Sequence, residues 1–272
     1  MEVLKSHKCF NGEVFFWKHT SQVTQTQMKF SGFIPSKPQA AIIWLSGLTC
    51  NEENFITKAG SQKYLSQQQL AIFCPDTSPR GLNLPEEHSS IEFGSGAGFY
   101  VDALVDQYRD HYKMYSYISE EFYSLVQNEF GFNQNISLMG HSMGGHGALV
   151  IGLRNPEKFN SISVFAPIAN PSQTHGKILE RYLGGDEALW RGYDACELLT
   201  AGFGHRNPIL VDQGLADELL PERLLTSRLE KALQDAGQAY DMRYRPDYDH
   251  SYYYISTFIH EHIEFHKKYL NR

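Results

Sequence analysis

The chain has 272 residues, 42% hydrophobic and 20% charged, with a formal net charge of −7. That balance is ordinary for a folded globular protein and excludes a largely disordered one. No Lys/Arg cluster longer than a pair occurs, so nucleic acid is not an expected partner.

The start, MEVLKSHKCFNGEVFFWKH, lacks the apolar core and small-residue cleavage site of a secretion signal. No apolar stretch approaches a membrane span, so no membrane association is expected. Cys9, Cys50, Cys74 and Cys196 are far apart and form no C-x-x-C pair. They read as free thiols in a reducing compartment, and the expected location is cytoplasmic.

Along the chain, GEVFFWKHTS and TQMKFSGFIP come first. They are rich in aromatic, Val and Thr residues and suit antiparallel strands. Short apolar runs then recur at wide intervals, at 40–47, 70–76, 135–142, 161–167 and 207–214, with a weaker sixth at 239–246. Runs without alternation suit strands buried on both faces, as in a parallel sheet. Helical patterns lie between them, over 117–130 before Gly131, over 221–237 from Pro to Gly, and over 251–270. Strands alternating with helices predict an α/β fold with a mostly parallel central sheet, antiparallel N-terminal strands and helices on both faces. No repeat or linker interrupts it, so residues 1–272 read as a single domain. Weak periodicity over 167–206 predicts an insertion of loops and short helices above the sheet.

The stretch LMGHSMGGHGALVIGLRN puts Ser142 among glycines. Gly140 to Gly144 matches G-x-S-x-G, with an apolar strand before it and a helical pattern after it. In that setting the motif is a nucleophile elbow, a tight turn that lifts the serine hydroxyl clear of the backbone. A hydroxyl is a weak nucleophile until a base takes its proton. In the elbow fold an acid and then a histidine follow the serine in the chain. His250, in PDYDHSYYYI between the last strand and the last helix, is the expected base. His205, His260, His262 and His266 are rivals, placed before a strand or inside a helix. The acid is expected after NPILVDQG. Asp212 sits at the strand end and Asp217 further into the loop, and spacing prefers Asp217 only modestly. Asp247 and Asp249 lie too close to His250 to need that role. The oxyanion donors are expected to be the N–H groups of Met143 and of Leu48, in the loop WLSGLTCNEENF.

Two other patterns point away from cofactors. HEHIEFH has Ile263 where a zinc-protease motif requires Glu, so no metal is expected. EFGSGAGFYVD has Phe99 where a dinucleotide loop requires its third glycine, and no strand leads into it. It reads instead as a mobile or closely packed loop near the acyl site.

Six segments together, WLSGLTCNEENFITKAG, PDTSPRGLNLP, GSGAGFYVDA, MGHSMGGHGAL, ILVDQGLADELL and YDHSYYYISTFI, resemble the S-formylglutathione hydrolases of the esterase D group, within the α/β-hydrolases. The resemblance covers nearly the whole chain. It implies Ser142 as nucleophile, Asp217 as acid and His250 as base, with Leu48 and Met143 as oxyanion donors. It implies hydrolysis of S-formylglutathione to glutathione and formate in formaldehyde detoxification, without a cofactor, and a homodimer as in many members. The alternative is a broad short-chain carboxylesterase. An acyltransferase or a non-catalytic binding protein on the same fold is a more distant one. Glutathione carries carboxylates, and Lys58 and Arg80 are the cations in the motif regions that suit them.

Cys50 stands two residues beyond Leu48, although a buried small side chain would sit there equally well. Thiol reagents are expected to lower activity by crowding the oxyanion loop. Ester hydrolysis after alkylation, compared between wild type and Cys50→Ser, checks this; equal sensitivity would refute it.

Overall fold

The computed structural model describes residues 1–270. Nine strands form one sheet in the order β1-β2-β3-β5-β4-β6-β7-β8-β9. They are β1 (Glu2–Cys9), β2 (Gly12–Thr20), β3 (Gln27–Pro35), β4 (Ala40–Leu45), β5 (Leu70–Pro75), β6 (Ile136–His141), β7 (Ile162–Phe165), β8 (Ile209–Gly214) and β9 (Tyr240–Arg245). β1, β2 and β3 pair antiparallel, and β3 joins β5 antiparallel. From β5 through β9 every pairing is parallel. All residues of β4 to β8 are buried, as their unbroken apolar runs require. β9 is only partly buried because it forms the sheet edge.

Successive residues of a strand point to opposite faces. On β7, Ile162 meets Gly152 of the helix Met143–Arg154, while the next residue, Ser163, bonds His262 and His266 of the helix Tyr252–Tyr269. The two helices therefore cover opposite faces. The second also brings polar groups into the core. Ser137 bonds Ser161, Ser161 and Ser163 bond the two ring nitrogens of His266, and the His262 ring stacks on Phe165 at 3.7 Å.

The sequence expectations need three corrections. A ninth strand, β1, was not expected; it pairs with β2, but every residue of it except Cys9 is exposed. The helix expected over 117–130 begins at Met114 and ends at Glu129, with a π turn over Tyr117–Phe122; Gly131 follows in the left-handed region. The helix expected over 221–237 is broken. A π turn, Leu220–Leu224, stops at Leu225 with φ 52°, and an α-helix resumes over Thr226–Asp235. The insertion holds four short helices, Pro171–Thr174, Gly176–Leu183, Glu187–Arg191 and Ala195–Thr200. Asp186 and Asp194 cap the last two through their side chains.

Burial pushes the pKa of several histidines down: His262 below its ordinary value, His266 well below, His146 to about 4 and His175 to about 3. Above about pH 6.5 these rings are neutral both folded and unfolded, and they add no pH dependence. As pH falls below that value, the unfolded chain takes up protons that the fold refuses. Stability should therefore fall between about pH 6.5 and 4, by up to about 1.4 kcal/mol per histidine per pH unit. Urea midpoints at pH 8, 6.5, 5 and 4 check this, and a flat profile would contradict it.

Candidate active site

Ser142 lies between β6 and the helix Met143–Arg154 with φ 59° and ψ −120°, a conformation that L-residues rarely adopt. The turn tolerates no side chain on either flank. A Cβ at Gly140 would sit 2.2 Å from the Gly144 carbonyl oxygen, and one at Gly144 would sit 2.0 Å from that of Leu45. Backbone bonds fix the turn: Ser142 N–H donates to Phe165 O at 3.0 Å, and Ile168 N–H donates to Ser142 O at 3.2 Å.

Asp217 and His250 meet directly, with the ring Nδ1 2.6 Å from the carboxylate Oδ2. Asp217 is buried, and its other oxygen accepts the Leu219 N–H at 2.9 Å. Gln213 donates to Oδ2 at 3.3 Å and accepts from Thr226 Oγ1 at 2.7 Å, so the carboxylate is held from behind. The His250 ring packs on the His141 ring at 4.4 Å, which sets it beside the residue that precedes Ser142. Among the described residues no hydrogen bond joins the Ser142 hydroxyl to that ring. Such bonds commonly close only when substrate binds. Burial and then the adjacent His250 push the His141 pKa well below its ordinary value, so a neutral ring backs His250.

Asp212, the rival acid, is spent elsewhere. Arg245 donates to it at 2.7 Å and 3.0 Å, Tyr254 OH donates at 2.7 Å, and His262 stands 3.7 Å away. Burial raises its carboxyl, but His262, Arg245 and Tyr254 outweigh that and hold it at about 2. The other histidine rivals are also committed. His205 bonds backbone oxygens of Asn207 and Phe159, and His262 and His266 face Ser163; His260 packs beside Tyr64.

The loop after β4 runs against the elbow. A Cβ at Gly47 would lie 3.1 Å from Ser142 Cβ. Among the described residues neither Leu48 N–H nor Met143 N–H has a hydrogen-bond acceptor, so both donors are open. Thr49 N–H donates to Gly96 O at 2.9 Å, and Tyr100 OH donates to Ser46 O at 2.9 Å. The Gly-rich stretch at 92–102 is thus closely packed against this loop.

Of the two suggested cations, Arg80 is engaged within the protein, although 39% of its side chain is exposed. It forks onto Asp76, reaching 2.7 Å, and donates to Cys50 O at 2.8 Å. Lys58 stays exposed, 5.6 Å above the Tyr252 ring. Burial pushes the Cys50 thiol up, opposed in part by Lys58. Among the described residues no group of three or more His, Cys, Asp or Glu side chains gathers to hold a metal, and no helix is long and apolar enough to cross a membrane.

The Esterase family profile matches residues 21–265. The S-formylglutathione hydrolase of Mus musculus is 43% identical over an alignment of 284 positions, covering 100% of this chain and 99% of the mouse protein. The chain belongs to the S-formylglutathione hydrolase family. The structure of an S-formylglutathione hydrolase from Agrobacterium tumefaciens superimposes with a TM-score of 0.96 at 40% identity, over 100% of both chains. A fluorophosphonate-binding serine hydrolase of Staphylococcus aureus, FphF, shares the fold at a TM-score of 0.75 and 18% identity, covering 94% of this chain and 98% of that one.

Arg80→Ala would leave the buried Asp76 carboxylate without its cation and remove one of the two donors to the Cys50 carbonyl, the other being Thr77 Oγ1. Stability should fall by on the order of 2 kcal/mol, and ester hydrolysis should fall with it as the 46–50 loop loosens. Urea unfolding beside kcat measures both. Unchanged kcat in a destabilised variant would show that the loop does not depend on this anchor.

Proposed function

We propose that the chain hydrolyses S-formylglutathione to glutathione and formate, with Ser142 as nucleophile, His250 as general base and Asp217 as the acid that orients it. The contact of Asp217 with His250 at 2.6 Å, beside a serine in a strained elbow, carries this reading. The full-length likeness to the mouse hydrolase supports the substrate. His250 takes the Ser142 proton as the hydroxyl oxygen attacks the thioester carbon. The oxyanion is held by the Leu48 and Met143 N–H groups. The C–S bond then breaks, His250 returns the proton to the leaving sulfur, and glutathione departs. Water, deprotonated by His250, attacks the formyl ester and releases formate and Ser142. Asp217 keeps the Nδ1 proton in place and stabilises the transient cation.

We further read the setting as cytoplasmic formaldehyde detoxification by a homodimer, without nucleic acid or membrane. The four free cysteines suit a reducing compartment. Sedimentation of the purified chain tests the dimer. A broad short-chain carboxylesterase would use the same groups, and only substrate preference separates it.

The deciding measurement is kcat/KM for S-formylglutathione, S-acetylglutathione and p-nitrophenyl acetate, with Ser142→Ala as blank. Strong preference for the formyl thioester is expected, and ester turnover with little formyl-thioester activity would move the function to a general esterase. Asp217→Asn should lower kcat by about 10³- to 10⁴-fold, whereas Asp212→Asn should act mainly on stability. The opposite ranking would exchange the two roles.

A further inference from the structure

His250 must hand its proton to the departing sulfur, so the thiol leaves on the His250 side of the site. The chain continues from His250 directly into a pocket of about 520 Å³ lined by Lys58, Ser251, Tyr252, Tyr253 and Ser256. We propose that this pocket is the leaving-group subsite, in which the Lys58 ammonium takes a carboxylate of the glutathione tail. The proposal rests on the thioesterase reading and adds the residues that select the thiol.

Three observations carry it. Connectivity comes first: His250 packs on His141 at 4.4 Å, His141 faces Tyr252 at 6.3 Å, and Lys58 stands 5.6 Å over Tyr252. The pocket is thus one ring away from the reacting base. Charge comes second. Glutathione carries one more carboxylate than ammonium, and the chain as a whole is acidic. Arg80 is bound to Asp76, and Arg223 bonds both Glu92 and His175. Lys58 has no ion pair among the described residues, so its charge remains available. Shape comes third. Tyr253 is 85% exposed although it borders the pocket, and its ring can cover a peptide backbone laid along the wall. The pocket also lies at the first turn of the helix Tyr252–Tyr269, whose Ser251 cap satisfies the Tyr253 N–H. The positive end of that helix adds to the pull of Lys58 on a carboxylate.

The subsite discriminates by the leaving group and not by the acyl group. An uncharged aryl ester has nothing to place against Lys58, so its turnover should not depend on that residue. Lys58→Ala should lower kcat/KM for S-formylglutathione about fivefold, the upper range for an exposed ion pair. The loss should fall mostly in KM. Lys58→Glu should lower it by about tenfold or more, because attraction becomes repulsion. Lys58→Arg should retain most of the activity, and added salt should narrow the gap between wild type and Lys58→Ala. Hydrolysis of p-nitrophenyl acetate should stay within twofold in all three variants.

Wild-type turnover of S-formylglutathione with Lys58→Ala and Lys58→Glu unchanged would overturn the subsite and leave the enzyme reading standing. Equal losses on thioester and aryl ester would also overturn it, since Lys58 would then act through the fold. No turnover of S-formylglutathione by the wild type would overturn both readings.

Discussion

The site depends on one contact, the pressing of the Met143–Arg154 helix onto the end of β4. At Gly144 the backbone lies so close to the Leu45 carbonyl that a side-chain carbon would overlap it, 2.0 Å from the oxygen. That approach forces the chain to turn from β6 into the helix within a single residue. Ser142 absorbs the turn with φ 59°. A strained residue of this kind costs about 1–3 kcal/mol and persists only where its surroundings over-determine it. Here the bonds to Phe165 and Ile168 do so, and they tie the serine to the end of β7 and the segment after it. Because β4 ends at Leu45, the same contact brings Gly47, and with it the loop that carries Leu48, against the elbow. The serine and the expected oxyanion donors are therefore set by one packing event.

The loop after β4 would not hold that position alone. It contains Thr49 with φ 66° and has few backbone bonds of its own. Its supports come from distant parts of the chain. Arg80 holds the Cys50 carbonyl while forked onto Asp76, Thr77 Oγ1 donates to the same carbonyl at 2.6 Å, and Tyr100 holds the Ser46 carbonyl. Gly96 and Gly98 let the 92–102 stretch approach closely enough to participate. The glycines that resemble a dinucleotide motif in the sequence thus act as a brace.

The parts legible in the sequence were those with a local cause. β4 to β8 stood out because burial on both faces demands unbroken apolar runs. Ser142 stood out because close backbone approach demands glycine. β1 left no such mark; its residues up to Lys8 are exposed, and pairing with β2 alone defines it. The break at Leu225 was equally silent, since no glycine or asparagine marks the left-handed residue there. Chain order alone points to His250, whereas the preference for Asp217 over Asp212 rests mainly on resemblance. Arg80 could not be read at all: a cation in a motif region serves a ligand or a fold, and only its partners tell which.

The two aspartates at one sheet edge have very different partners. Asp212, at the end of β8, receives an arginine and a tyrosine and faces a buried histidine. Its charge is neutralised locally, and it joins β8, β9 and the last helix into one unit. Asp217, a few residues on, receives among the described residues only a backbone N–H and an amide besides His250. These neutral donors fix its orientation without cancelling its charge. On the proposed mechanism that charge faces the imidazole cation that forms as Ser142 gives up its proton. Had Arg245 reached Asp217 instead, the carboxylate would still orient the ring but would stabilise its cation less. Placing the arginine on Asp212 keeps the sheet edge rigid and leaves Asp217 with the histidine as its principal partner.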